Sequence, residues 1–497
     1  MDSSTSDMAR AAMVFIQASL RVLDSLTHGG SILPTRRAPD IRFAAEGSAR
    51  TVSTVAVPSW DLLASQCFVR MLGSSELEAF KEVASRYPPV REAVSRSGWK
   101  FQGGWTKENV AAAFEGTWIP SLLKQYLLRA QAVTEFQTEV FKEAFETFTK
   151  HLRGDFAVRY FAGVFRLQIP GRMLEIGDVR IRALEPEERA RFYSEFEAGI
   201  DFSVEKLVQG FPFDSVSLLD AKHLMELDVN AVQGSWDDGR FRRQINDLVN
   251  SLRLLREAGV YVGPIHFDQL GWLQESTMSM PELFPIRLAY GPELVLRPED
   301  MPTLMELTSV LTGGVRQKRP ALDLAIERFE RAIGTREPRD CLLDAFIGLE
   351  ALLLGGSKDE KSFQLSVRAA HIVGDTPERR QFVATLLRKG YGIRSALVHG
   401  DIPKGGVKVE GVEMDLTTLA REVMDVLRES IRRVLLQPEL HDSLVLSKIL
   451  DRRILGLNGV EIKAPTRTLP DAGEAPNRNV PPNVETLGDG PGTKTRR

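Results

Sequence analysis

The sequence predicts an α+β chain. A helical N-terminal region leads into a mixed α+β middle domain, then an all-α C-terminal helical bundle, then a disordered tail. Three observations carry this. Apolar residues recur at three- and four-residue spacing up to about residue 155 and again from about 301. Between residues 156 and 300 the period shortens and β-branched and aromatic residues take over. Beyond residue 460 large apolar side chains almost vanish. The expected boundaries are therefore 1–155, 156–300, 301–460 and 461–497.

Length and composition agree with several domains. A chain of 497 residues is too long for one ordinary core. Its hydrophobic content of 43% and charged content of 26% are those of a globular protein. A net charge of −3 excludes a chain that binds nucleic acid through its overall field, so any RNA contact must rest on a local basic patch. The only cysteines, Cys67 and Cys341, lie in apolar periodic stretches and read as buried free thiols. The start carries Asp2 and Asp7 rather than positive charge, and Gln17 interrupts a short apolar run, so no signal peptide is expected. No stretch approaches the roughly 18 apolar residues that a membrane span requires. The expected location is the cytoplasm, with no membrane partner.

In chain order, Ala12, Ile16, Leu20 and Leu23 mark a helix over residues 8–26, which His28-Gly29-Gly30 ends. Residues 29–57 carry Gly, Pro and Arg without period and read as a linker. From Trp60 to about Leu152 the pattern is helical, and its Phe-rich face (Phe136, Phe141, Phe145, Phe148) reads as core. Arg153-Gly154-Asp155 reads as a helix-ending turn. Val158–Ile169 and Met173–Leu184, punctuated by Gly177-Asp178, read as adjacent strands, with further strand-like pieces near 216–229, 249–268 and 283–290.

Pro320 opens a helix over 320–333 and Pro338 one over 338–354. A third carries Phe363, Val367 and Ala370 and stops at Gly374. Thr376 caps a fourth, which starts at Pro377 and runs into Arg394–His399. Gly400 to Gly411 reads as a glycine-rich turn, Asp415 caps a fifth helix, and a sixth is expected at about 440–455.

Most motifs are bland. Gly355-Gly-Ser-Lys358 lacks the full phosphate-loop spacing and links two helices. No Cys or His pair has metal spacing, so no metal and no cofactor are expected. The fourth helix differs. It carries Arg379, Arg380, Arg388, Lys389 and Arg394 against the single acid Glu378, a local basic surface suited to an anionic partner. Within it, Arg394 and His399 form Arg-x4-His. A guanidinium can clamp two phosphate oxygens, and an imidazole titrates near neutrality. Five residues leave the two Cα atoms about 140° apart around a helix, so they do not converge on one phosphate unaided. The looser match at Arg21 and His28 lies on an amphipathic helix and its end.

Four blocks in order, Ala321 to Glu330, Asp340 to Leu354, Phe363 to Ala370 and Tyr391 to Gly400, resemble the ApeA-like branch of the HEPN superfamily over about residues 318–436. The resemblance implies a HEPN-type bundle and a metal-independent ribonuclease of antiphage or toxin-like defence. It also implies a homodimer that joins two Arg-x4–6-His motifs, with RNA as substrate and a phage-derived trigger or an antitoxin as partner. Arg394 would stabilise phosphate charge and His399 would transfer protons. Ser395 stands where active members often carry Asn, Asp or His. Glu350, in the Leu-Glu-x-Leu-Leu block, would orient Arg394 or, as the favoured reading, pair with it only structurally; Tyr391 would support Arg394, and Arg379, Arg380, Arg388 and Lys389 would line the RNA approach. The alternative is a catalytically silent HEPN dimer that binds RNA or nucleotides or scaffolds a partner.

Overall fold

The computed structural model describes residues 3–28, 34–43, 49–96, 107–193, 217–231, 238–272, 289–355, 360–400, 406–441 and 443–456. The architecture is mixed α+β with helices dominant. The strand-like piece near 283–288, the Ser357-Lys358 loop and the tail beyond 456 lie outside the described residues.

The N-terminal helices are α1 (Ser3–His28), α2 (Trp60–Met71), α3 (Ser75–Ser85), α4 (Pro88–Arg96), α5 (Lys107–Ala130) and α6 (Thr138–Arg153). Their core is a run of rings. Phe15 stacks on Phe80 at 5.6 Å, Phe80 meets Phe114 edge-on at 5.9 Å, and Phe114 meets Phe148 at 6.1 Å. Phe141, Phe145 and Phe148 on α6 are all buried, as the spacing predicts. Gly154, with φ 74°, closes α6 in the left-handed conformation that suits a glycine cap. Within residues 29–57, read as a linker, the described residues 35–43 and 49–57 are strands instead. Strands β1 (Thr35–Phe43) and β2 (Ala49–Pro58) pair antiparallel there. The run Thr51-Val-Ser-Thr-Val55 has the β-branched content of a strand. Pro39 is tolerated because both strands of a two-stranded ribbon are edges.

The middle region is a five-stranded antiparallel sheet. Its strands are β3 (Phe156–Phe165), β5 (Met173–Ile176), β6 (Val179–Ala183), β7 (His223–Ala231) and β8 (Tyr261–Gln269), in the order β5-β6-β7-β3-β8. The short strand β4 (Leu167–Gln168) pairs parallel with β9 (Leu294–Val295). Helix α7 (Pro186–Phe192) follows β6, and α8 (Asp238–Leu255) lies across one sheet face. There Phe241, Ile245, Leu248 and Leu252 pack on Val158, Tyr160, Met225 and Leu227. The other face buries Phe161, Phe165, Leu224 and Tyr261. The strand-like reading of 249–268 is thus half corrected. Residues 249–255 end α8, whose apolar positions recur at helical spacing through Phe241 and Ile245 and so belong to a longer helix.

The C-terminal helices are α9 (Met301–Thr312), α10 (Val315–Lys318), α11 (Pro320–Ile333), α12 (Pro338–Leu353), α13 (Lys361–Val373), α14 (Pro377–Val398), α15 (Leu416–Leu436) and α16 (Ser443–Ile454). They share one core that includes Leu322, Phe329, Leu342, Phe346, Leu349, Leu386, Val423 and Leu427. Part of the expected glycine-rich turn is a hairpin, β10 (Val407–Val409) with β11 (Val412–Met414), joined by Glu410 and Gly411. Both turn residues have positive φ, at 47° and 87°, as a tight two-residue hairpin turn requires.

The middle sheet and the C-terminal helices are welded together. Leu254 of α8 is buried within the C-terminal core. Asn250 Nδ2 donates to the carboxylate of Glu330 on α11 at 2.7 Å. Arg316 on α10 lies 3.7 Å from Glu330 and 3.6 Å from Asp247 of α8. No described helix is long and apolar enough to cross a membrane.

Candidate functional site

The site is organised by helix α14. Thr376 caps it, its hydroxyl accepting from the Arg379 N–H at 3.2 Å, and Pro377 sits in the first turn, where its missing N–H costs nothing. Val383, Leu386, Leu387 and Gly390 face the core. Gly390 allows a close approach to α12, since a Cβ there would lie 3.1 Å from the Phe346 ring. One residue on, Tyr391 meets Phe346 edge-on at 5.6 Å.

The same contact repeats one turn further along both helices. Residue 350 is four past Phe346 and residue 394 is four past Gly390, so the helical repeat brings Glu350 and Arg394 face to face. The Arg394 guanidinium approaches the Glu350 carboxylate at 3.3 Å and lies 5.4 Å from the Tyr391 ring centroid. The pair is close without being well aligned. Glu350 Oε1 and Arg394 Nε are both buried with no hydrogen-bond partner among the described residues. The contact is therefore a charge contact rather than a bidentate fork, and Arg394 keeps an uncommitted N–H. The Tyr391 hydroxyl is held above its usual range, first by burial and then by the Glu350 charge.

His399 is not part of this cluster. It is the C-cap of α14, with φ −85° and ψ 4°, and its N–H bonds to the carbonyls of Ser395 and Ala396 at 3.2 and 3.1 Å. Gly400, with φ 83°, turns the chain away. The His399 side chain is exposed and has no partner among the described residues. The 140° offset predicted from spacing thus appears as one residue turned inward to α12 and one outward to solvent. Ser395 is half-buried between them.

The basic residues divide. Arg380 Nε donates to the carbonyl of Gly374 at 2.9 Å and closes the end of α13. Lys389 Nζ donates to the carbonyl of Lys408 and fastens the β10–β11 hairpin to α14. Arg379 lies over the ring of Phe382 at 5.1 Å. Arg388 alone is exposed with no partner among the described residues. Eleven residues separate it from His399, about three helical turns, so the two share one face of α14 roughly 16 Å apart. Arg380 and Lys389 each make a tie to a backbone carbonyl. Their role was hidden in the sequence because their partners are backbone carbonyls, which leave no side-chain signature.

Gly392 lies on that same face and went unnoticed in the sequence. It is exposed, and a Cβ there would meet nothing within 4 Å. A glycine inside a helix costs about 1 kcal/mol relative to alanine, and no internal contact requires one here. Leu397, in contrast, packs against the C-terminal core, so of the apolar residues between Arg394 and His399 only Val398 is largely exposed, at 56%. In the second Arg/His match, Arg21 makes an exposed ion pair with Glu76 at 3.5 Å. Among the described residues no three His, Cys, Asp or Glu side chains cluster as a metal site would need.

No protein-family model, curated protein or solved structure matches the chain.

Proposed function

We propose that the chain is an endoribonuclease of HEPN type, with residues 301–460 as the HEPN-like bundle and two copies joined along α14. The observation that carries it is the exposed His399, without a partner among the described residues, at the end of a basic helix and little more than one turn beyond Arg394. His399 would move a proton while a ribose 2′-OH attacks the adjacent phosphorus. The P–O5′ bond would break, leaving a 2′,3′-cyclic phosphate and a free 5′-OH. Arg394 would stabilise charge on the phosphoryl oxygens. Arg388, on the His399 face, would hold the RNA backbone. Such chemistry serves a cytoplasmic antiphage or toxin-like effector, restrained by a trigger-sensing N-terminal portion or by an antitoxin.

Juxtaposed α14 helices would supply what one helix lacks. An isologous contact presents the same face twice and brings two His399 side chains to one groove. The exposed Gly392 fits a close helix–helix approach at that face.

The test is cleavage of RNA and of DNA of the same sequence by the wild type and by His399→Ala, in EDTA. RNA cut by the wild type alone, with cyclic phosphate ends, is expected. Activity retained in His399→Ala, or equal cutting of DNA, overturns the proposal, because DNA lacks the nucleophile.

One observation favours the silent alternative, an RNA-binding or scaffolding dimer. Glu350 already engages the charge of Arg394. That reading expects RNA binding without cleavage by the wild type.

A further inference from the structure

A second site lies away from α14. A cavity of about 280 Å³ opens between the Gly177-Asp178 turn of the β5–β6 hairpin, helix α8 and helix α9. It falls just under the range of roughly 300–1,000 Å³ usual for small-molecule pockets, which limits its occupant to a compact ligand.

Its polar lining is unusual in what it leaves open. Thr308 is only 6% exposed, yet its hydroxyl has no hydrogen-bond partner among the described residues. Gln244 donates its amide N–H to Asp178 Oδ2 at 3.2 Å, which leaves its buried Oε1 without a donor. The Thr312 hydroxyl gives its hydrogen to the carbonyl of Thr308 at 2.8 Å and can only accept. A buried polar atom left unpaired is destabilising, and two of them line this one cavity.

We propose that this cavity binds a small polyhydroxylated molecule, a sugar ring either free or as the ribose of a nucleoside. Gln244 Oε1, Asp178 and Thr312 Oγ1 can accept, while the Thr308 hydroxyl can both donate and accept, a mixture that ligand hydroxyls match. The Asp178 carboxylate disfavours anions such as phosphates and carboxylates. Val179 and Leu248 form an apolar wall, which suits the C–H face of a sugar ring whose hydroxyls point the other way. Because the walls come from the middle sheet on one side and α9 on the other, an occupant bridges the two regions. This site stands whether or not the chain cleaves RNA.

The test is calorimetric titration of the full chain with ribose, glucose and adenosine. Saturable binding of at least one is expected, weakened roughly tenfold or more in Thr308→Val and in Gln244→Leu. Thr308→Val removes only an unpaired hydroxyl, whereas Gln244→Leu removes the unpaired oxygen together with the amide that donates to Asp178; both change bulk little, and circular dichroism checks that each folds. Tighter binding of adenosine than of ribose would mark a nucleoside site, and the reverse a free-sugar site. No saturable binding by any of the three, or binding unchanged in both variants, overturns the proposal.

Discussion

The contact between Glu350 and Arg394 lends itself to a double-mutant cycle. The two side chains are 19% and 23% exposed, and their charged atoms approach to 3.3 Å. A fully exposed pair is worth about 0–1 kcal/mol, and breaking a fully buried one costs about 3–5 kcal/mol. This pair lies between the two and lacks an aligned hydrogen bond, so its coupling should be about 1–2 kcal/mol. Glu350→Ala, Arg394→Ala and the double variant would be unfolded in urea and their free energies compared. Arg394→Ala should cost more than the coupling alone, because it leaves the Glu350 carboxylate half-buried beside Tyr391. Raising the salt should leave most of the coupling in place, since both groups are largely shielded from solvent. A coupling near zero would refute the reasoning and show that packing of Tyr391 on Phe346, not the charge pair, sets the geometry of Arg394.

Gly392→Ala should stabilise the single chain by roughly 0.5–1 kcal/mol in denaturant melts, while Gly392→Leu should abolish self-association in sedimentation experiments; a Leu variant that still dimerises removes α14 from the interface. Burial pushes the Cys67 thiol up to about 11 and the Cys341 thiol up to about 12, so neither should react with a thiol reagent until the chain unfolds, and stoichiometric labelling of the native protein would contradict this. His223 and His371 are held below the usual imidazole range, each chiefly by burial, with Lys222 adding to the first and Arg380 and Arg453 to the second. The unfolded chain therefore takes up those protons first. Stability present above about pH 6.5 should decline as pH falls toward the folded values, and His223→Gln should flatten that slope in urea melts.

How much of this was legible in the sequence depends on the reach of each interaction. The C-terminal helices were, because Pro320, Pro338, Thr376 and Asp415 are local start signals and the apolar spacing between them is regular. Strands Phe156–Phe165 and Val179–Ala183 were also legible, since β-branched and aromatic residues and the Gly177 turn announce them. The β1–β2 ribbon was obscured by the glycines and prolines in and around it, which outweighed a short β-branched run. In the site, the sequence brought Arg394 and Glu350 into one account only through resemblance. Their contact follows from the packing of Gly390 against Phe346, which is a matter of tertiary register. The ties of Arg380 and Lys389 to backbone oxygens could not be read from side-chain identity at all.

The bond between Asn250 and Glu330 has a practical consequence for dissecting the molecule. A polypeptide cut at residue 300 would carry Glu330 without its amide donor and a core missing Leu254, which is 0% exposed in the intact chain. Residues 301–460 expressed by themselves should thus be insoluble or far less stable than the whole, whereas a fragment beginning near Asp238 should retain both contacts. An effector of the kind proposed above, if kept in check by its own preceding segment, would gain from such a joint. Proteolysis in the linking region would then disable the helices rather than release them.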